Sequence, residues 1–244
     1  MELKNIHSVY FIGIGGIGMS ALARFYLSKG IAVGGYDKVC TPLTESLVKE
    51  GATISYSDEL SEISTSFKNT KTTFIVYTPA IPSSHKGYNY FKDNGFNIVK
   101  RSELLGLITD VLFTIGVAGT HGKTTTSSII THVLDNSGFP VNAFLGGISS
   151  NLNSNFLIND KAETVVVEAD EYDRSFLTLA PNIAIVTSMD ADHLDIYGEH
   201  SYLTESFEKY VAKLPSDGIL IKRKGLSVEH NNTIEYAVNE KADY

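Results

Sequence analysis

Short runs of apolar, largely β-branched residues recur along the chain, separated by segments in which apolar positions return every three or four residues. The runs are Val9–Ile12, Ile31–Tyr36, Thr73–Tyr77, Leu112–Val117, Thr164–Ala169, Ile183–Ser188 and Ile219–Lys222. Several are apolar at every position. A strand with one wet face alternates, so an unbroken apolar run suits a strand buried on both faces. Segments Ile17–Lys29, Leu43–Glu50, Thr124–Asn136 and Ser201–Leu214 read as helices. Strands alternating with helices predict an α/β fold of parallel sheets joined by right-handed crossovers.

Two glycine-rich turns each follow a strand and open a helix, one at 13–18 and one at 119–124. One continuous sheet with two such turns would be unusual. The chain is therefore expected to divide near 101–111, into domains 1–105 and 106–244. From Gly225 onward it is polar and weakly patterned. It stops at Ala242-Asp243-Tyr244 with no helix or cap after the last apolar stretch, as expected of an incomplete second domain.

Composition narrows the chemistry. With 43% hydrophobic and 20% charged residues, a 244-residue chain can build sizeable cores. A net charge of −8 disfavours binding to a phosphate backbone but not to a single phosphorylated ligand held by backbone N–H groups. Cys40 is the single cysteine, so no intrachain disulfide forms, in keeping with a reducing cytoplasm. The N-terminus lacks a basic stretch followed by a long apolar run. The apolar segment Val9–Ala23 is broken by four glycines. A soluble, cytoplasmic protein without membrane insertion is expected.

The first turn is Gly13-Ile14-Gly15-Gly16-Ile17-Gly18, after Val9–Ile12 and before a helix starting near Met19. Glycines permit a tight turn and close approach of a phosphate, while the helix start offers unpaired N–H groups and partial positive charge. The same glycines also serve strand–helix packing. Asp37 ends the next strand, where an acid either meets a ribose hydroxyl or simply closes the strand.

The second turn is Gly119-Thr120-His121-Gly122-Lys123-Thr124, followed by Thr125 and Thr126. Its Gly-Lys-Thr ending is that of a P-loop: backbone N–H groups wrap phosphates, Lys123 reaches the terminal ones, and the Thr124 hydroxyl takes Mg²⁺. The match is imperfect, because Val117 stands where the pattern has a glycine. Two later strands end in acids. Thr164–Val167 leads to Glu168-Ala169-Asp170-Glu171-Tyr172-Asp173, with Glu168 the first choice as an Mg²⁺ ligand. Asp170, Glu171 and Asp173 read as solvated loop or helix-start acids, with a supporting role beside the metal also open. Ile183–Ser188 leads to Asp190-Ala191-Asp192-His193-Leu194-Asp195. Mg²⁺ prefers oxygen, so spacing alone leaves His193 open between ligand and exposed residue.

Together, Gly13–Ser20, Gly119–Thr126, Glu168–Glu171 and Asp190–Gly198 resemble the Mur ligase family, in order and over essentially the whole chain. The resemblance implies a Rossmann-like UDP-sugar-binding domain, then a P-loop ATP-binding domain, with a third, amino-acid-binding domain and the later part of the second missing. It implies that Gly15, Gly16, Ile17, Gly18 and Met19 hold a UDP-sugar diphosphate, with Asp37, Thr78, Ala80 and Ile81 beside the nucleotide. The turn at 78–81 reads equally well as a plain proline turn. It implies that Gly119, Thr120, His121, Gly122, Lys123, Thr124 and Thr125 bind ATP. Thr124 and Glu168 would hold Mg²⁺, and His193 a second divalent metal, Mg²⁺ or Mn²⁺, with Lys123, Glu168 and His193 forming the catalytic set. The implied activity is amide formation in peptidoglycan precursor synthesis. The first loop and Asp190–Gly198 point to the member joining L-alanine to UDP-N-acetylmuramate at the expense of ATP. A member joining a recycled tripeptide to the same UDP-sugar, an NAD-dependent oxidoreductase, and a non-catalytic nucleotide-binding module are the alternatives.

Overall fold

The computed structural model describes residues 6–152, 154–190 and 200–244. The chain forms two compact units, Met1–Leu104 and Leu105–Tyr244. Each is an α/β sandwich built on a largely parallel sheet. No helix among the described residues is long and apolar enough to cross a membrane.

In the first unit β1 (Ser8–Ile12), β2 (Ala32–Tyr36), β3 (Thr53–Ser55), β4 (Thr73–Tyr77) and β5 (Asn97–Lys100) lie in the order β3-β2-β1-β4-β5, all parallel. β1 is buried at all five positions, which its unbroken apolar run requires. The helices are α1 (Ile17–Ser28), α2 (Pro42–Lys49) and α3 (Lys86–Asp93), and α4 (Arg101–Thr109) begins in this unit and continues into the second. α2 starts on a reciprocal cap between Thr41 and Thr44, with Pro42 in the first turn, where its missing N–H costs nothing. Tyr10, Phe67 and Phe91 meet ring to ring at the centre of the core. Strand order reverses between β1 and β4, so the loops after these two strands flank a crevice open to ligands.

In the second unit β6 (Phe113–Ala118), β7 (Val141–Ser149), β8 (Ser154–Leu157), β9 (Thr164–Ala169), β10 (Ile183–Val186), β11 (Ile219–Arg223) and β12 (Thr233–Tyr236) lie in the order β12-β11-β10-β6-β9-β7-β8. α5 (Lys123–Asn136) follows β6, and α6 (His200–Val211) precedes β11. Phe176 and Tyr210 stack at 5.0 Å, with Phe207 edge-on to Phe176 at 5.3 Å.

Four expectations need correction. The second sheet is not wholly parallel: β8 runs antiparallel to β7, because the link from Ser149 to Ser154 is too short for a crossover. The polar stretch after Gly225 is structured. β12 pairs in parallel with β11, half-buried throughout, so no apolar alternation marks it. Lys222, 2% exposed, gathers the intervening loop by donating to the carbonyls of Leu226 and Val228 and pairing with Glu229. The strand expected over Ile183–Ser188 stops at Val186, with the Thr187 N–H making a last backbone bond to the Ala118 carbonyl at 3.0 Å. The strands β3, β5, β7 and β8 and the helices α3 and α4 were not expected. α3 buries only Gly87 and Phe91, too few positions for a visible helical stripe.

His85 makes the first unit sensitive to acid. Its Nδ1 caps α3 by accepting from the Tyr88 N–H at 3.0 Å, and its ring sits edge-on to Tyr36, 3% exposed. Burial holds the imidazole below its ordinary pKa, against a smaller opposing pull from Asp58. The unfolded chain takes the proton at about pH 6.5, and the folded chain only at lower pH. Stability from the neutral ring is therefore full above that pH and falls as the medium is acidified toward the folded pKa. Urea midpoints of the first unit should drop between roughly pH 7 and pH 5. His85→Asn, which keeps a cap acceptor, should flatten that slope; an unchanged slope would mean another group is responsible.

Candidate functional site

The turn after β1 is closed from both sides of the crevice. The Gly13 and Ile14 N–H groups donate to the Tyr36 carbonyl at 2.8 and 3.0 Å, which needs φ +90° at Gly13. A β-carbon at Gly13 would lie 2.5 Å from Thr78 Cγ2, so this loop and the loop after β4 are in direct contact. The Thr78 N–H donates to the Ile12 carbonyl at 3.3 Å, and the Ile81 N–H to the Thr78 carbonyl at 3.2 Å. Thr78 and Ile81 are half-buried and Ala80 is exposed on the same turn.

Asp37 is engaged with the loop itself. Its Oδ2 accepts from the Gly15 N–H at 2.7 Å and its Oδ1 from the Val39 N–H at 3.2 Å. In this arrangement it orders the glycine turn, a role that strand-end position alone did not reveal. The Met19 side chain is 2% exposed and belongs to the core, so only its backbone can face a ligand. Gly15, Gly16, Ile17 and Gly18 line the turn at partial or full exposure.

The turn after β6 is held by the residues that follow β10. Thr120 Oγ1 and Ser188 Oγ are 2.9 Å apart, the His121 N–H donates to Ser188 Oγ at 2.8 Å, and Thr187 Oγ1 donates to the His121 carbonyl at 2.5 Å. The Asp190 N–H donates to Thr120 Oγ1 at 3.1 Å. Gly119 at φ +140° has the Thr187 hydroxyl where a β-carbon would go, and Gly122 at φ +83° starts α5. The clamp leaves the start of α5 open, with Thr124, Thr125 and the His121 side chain exposed. Val117, the departure from the P-loop pattern, is a fully buried β6 residue.

β9 brings its acid to this turn by register: Glu168 lies opposite Val117, two residues before the turn begins at Gly119. Thr124 Oγ1 donates to Glu168 Oε1 at 3.0 Å, and the Gly146 N–H donates to Glu168 Oε2 at 2.8 Å. A β-carbon at Gly146 would overlap the carboxylate, so the glycine is what admits it. A hydroxyl and a carboxylate oxygen side by side are the hard-oxygen donors that Mg²⁺ prefers. The residues present therefore fit such an ion. His193, with Asp192 and Asp195, lies outside the described residues. Among those described, no cluster of three or more His, Cys, Asp or Glu residues forms a metal nest.

Lys123, expected to reach phosphates, bonds two groups of its own unit. Its Nζ donates to the Gly119 carbonyl at 2.7 Å and to Glu171 Oε1 at 2.9 Å. Glu171, read from sequence as a solvated acid, is 0% exposed. The correction has a simple cause. After β9 the chain turns at once into a 3-10 helix (Tyr172–Thr178), which rolls Glu171 under the glycine turn, where an anion is stable only against a cation. The sequence reading also missed Thr187, Ser188 and Gly146. Hydroxyls closing a core strand were the available signal for the first two; nothing in the sequence marked Gly146.

The chain matches the Mur ligase family catalytic domain over residues 8–111 and the Mur ligase middle domain over residues 117–243. It is 49% identical to a UDP-N-acetylmuramate–L-alanine ligase of Cytophaga hutchinsonii, covering 100% of this chain and 54% of that protein. It is 51% identical to the enzyme of the same name from Phocaeicola vulgatus, over 94% of this chain and 50% of that protein. The chain thus spans about half the length of the curated relatives it matches. Among solved structures, UDP-N-acetylmuramate-alanine ligase from Thermotoga maritima superposes with a TM-score of 0.80 at 27% identity, covering 96% of this chain and 53% of that one. A UDP-N-acetylmuramate:L-alanyl-gamma-D-glutamyl-meso-diaminopimelate ligase from Neisseria meningitides superposes with a TM-score of 0.83 at 23% identity, over 94% of this chain and 78% of that one, and shares the fold. With the middle-domain match covering more than half of its residues and both glycine turns in their places, the chain belongs to the Mur ligase family.

Proposed function

We propose that the protein containing this chain joins L-alanine to UDP-N-acetylmuramate with cleavage of ATP. In this reading the first unit takes the UDP-sugar and the second takes ATP. The observation that carries it is the pairing of Thr124 with Glu168 at the open start of α5, beside Lys123. About 50% identity to ligases of that name, against 23% to the tripeptide-adding enzyme, favours L-alanine as the incoming group.

The backbone N–H groups at 119–124 and the start of α5 receive the ATP phosphates. Thr124 and Glu168 would hold Mg²⁺, which when bound neutralises phosphate charge. Lys123 exchanges its contact with the Gly119 carbonyl for the transferring phosphoryl group and stabilises the charge developing there. A muramate carboxylate oxygen attacks the γ-phosphorus and ADP leaves, giving an acyl phosphate. The amine of L-alanine then attacks the acyl carbon, the carbon–oxygen bond to phosphate breaks, and an amide and inorganic phosphate result. Activation is needed because a carboxylate is a poor acyl donor. The protein's part is mainly to position the groups and offset charge. His193, the third member of the proposed catalytic set, would hold a second divalent metal, Mg²⁺ or Mn²⁺.

The test uses protein made from the complete reading frame. Phosphate release should require UDP-N-acetylmuramate, ATP and L-alanine together. Release with a tripeptide in place of L-alanine would select the recycling reaction, and no release with either would overturn the ligase reading. Lys123→Met should lower turnover by at least ~10³-fold, a loss of the size expected for a charge-stabilising group. UDP-sugar affinity should stay within about twofold if the two sites are separate. Parallel loss of both would show that they are not.

Glu171 supplies a stability prediction. Removing one partner of a buried ion pair strands the other, so Glu171→Ala should destabilise the second unit by ~3 kcal/mol in urea unfolding. A change within roughly 0.5 kcal/mol, the range of an ordinary surface substitution, would show that Glu171 is not buried against Lys123 in solution.

A further inference from the structure

We propose that Arg101 is a binding residue of the first unit, its guanidinium supplying positive charge to the diphosphate held at the turn after β1. The inference rests on the UDP-sugar reading of that turn. Arg101 opens α4 at the C-terminal end of β5, on the sheet edge where the loops after β1 and β4 meet. A β-carbon placed on Gly18 would lie 2.8 Å from Arg101 Nη1 and 3.0 Å from its Cδ. The guanidinium therefore lies against the first turn of α1. The N–H groups of Gly18 and Met19 there would look for acceptors at Ile14 and Gly15, which are outside the helix.

The arginine is half-buried, yet it forms no hydrogen bond or ion pair with the described residues. The arginine of α1 behaves differently: Arg24 is bound through Nε and Nη2 to both carboxylate oxygens of Glu50, at 2.8 and 2.9 Å. Asp37, the acid at the glycine turn, is engaged by the Gly15 and Val39 N–H groups. A planar fork of donors, partly withdrawn from water and left without an anion, matches phosphate oxygens in two-point geometry. In a chain of net charge −8, such a local cation also offsets the repulsion a diphosphate would meet. Gly18 acquires a specific purpose from this contact. Any side chain there would take the space of the guanidinium.

The test is calorimetric titration of the chain with uridine, UDP and UDP-N-acetylmuramate. Arg101→Ala should weaken UDP and the UDP-sugar by about 10- to 100-fold, the range of one charge-assisted pair, and uridine by less than about twofold. Gly18→Ala, which pushes the guanidinium aside while leaving it in place chemically, should weaken UDP in the same direction. Arg101→Lys should restore part of the loss. If Arg101→Ala lowers the folded fraction, Arg101→Gln takes its place. Unchanged UDP affinity in a folded variant, or equal weakening of uridine and UDP, would overturn the proposal while leaving the UDP-sugar site standing. Wild-type protein that binds none of the three ligands would overturn the site and the proposal together.

Discussion

A parallel strand that ends beneath a helix start leaves backbone N–H groups pointing outward with nothing to bond. The chain meets this constraint at both glycine turns, and in the second unit the solution organises everything around it. Ser188 and Thr187, one strand over, satisfy the Thr120 and His121 side of the loop and so leave the α5 side open. If those hydroxyls bonded the other side, the turn would be complete and could hold no ligand. The clamp therefore decides which side of the turn keeps unbonded N–H groups.

The Lys123–Glu171 pair follows from the same arrangement. An ammonium in this loop must be kept from collapsing onto the outward-facing oxygens of Thr124 and Glu168, which would remove the donors suited to a metal. Glu171 draws it to the inner side, near the Gly119 carbonyl. Thr124 and Glu168 then face one another across 3.0 Å. Two carboxylates three residues apart thus do opposite jobs. Glu168 stays at the open rim because Gly146 makes room for it, while Glu171 is rolled under by the 3-10 turn. The first unit uses the same economy with one acid: Asp37 orders the turn by holding Gly15.

Much of this is legible in the sequence. β1, β4 and β9 are apolar at nearly every position and begin or end within a residue of where the pattern places them. The helices after the two glycine turns are equally plain. Edge elements were not legible, nor was the interior strand β7, whose apolar run is broken by Asn142 and two glycines. β3, β5 and β12 are short, half-exposed and mixed in composition, because an edge strand buries little and so constrains its residues little. Whether Thr187 and Ser188 extend a strand or leave it depends on partners nearly seventy residues away, which no local window contains.

Local sequence therefore determined the largely parallel α/β architecture, the two glycine-rich strand-to-helix turns and the acids that end the neighbouring strands, since each is written in apolar periodicity or in glycines that only one backbone geometry uses. Tertiary structure alone decided which acid is buried and which is open, that Asp37 orders its loop, and that Gly146 and Gly18 make room for Glu168 and Arg101. The reason is physical. Periodicity records which face a residue shows to the core, but burial of a charge depends on where a counter-charge arrives from elsewhere in the chain.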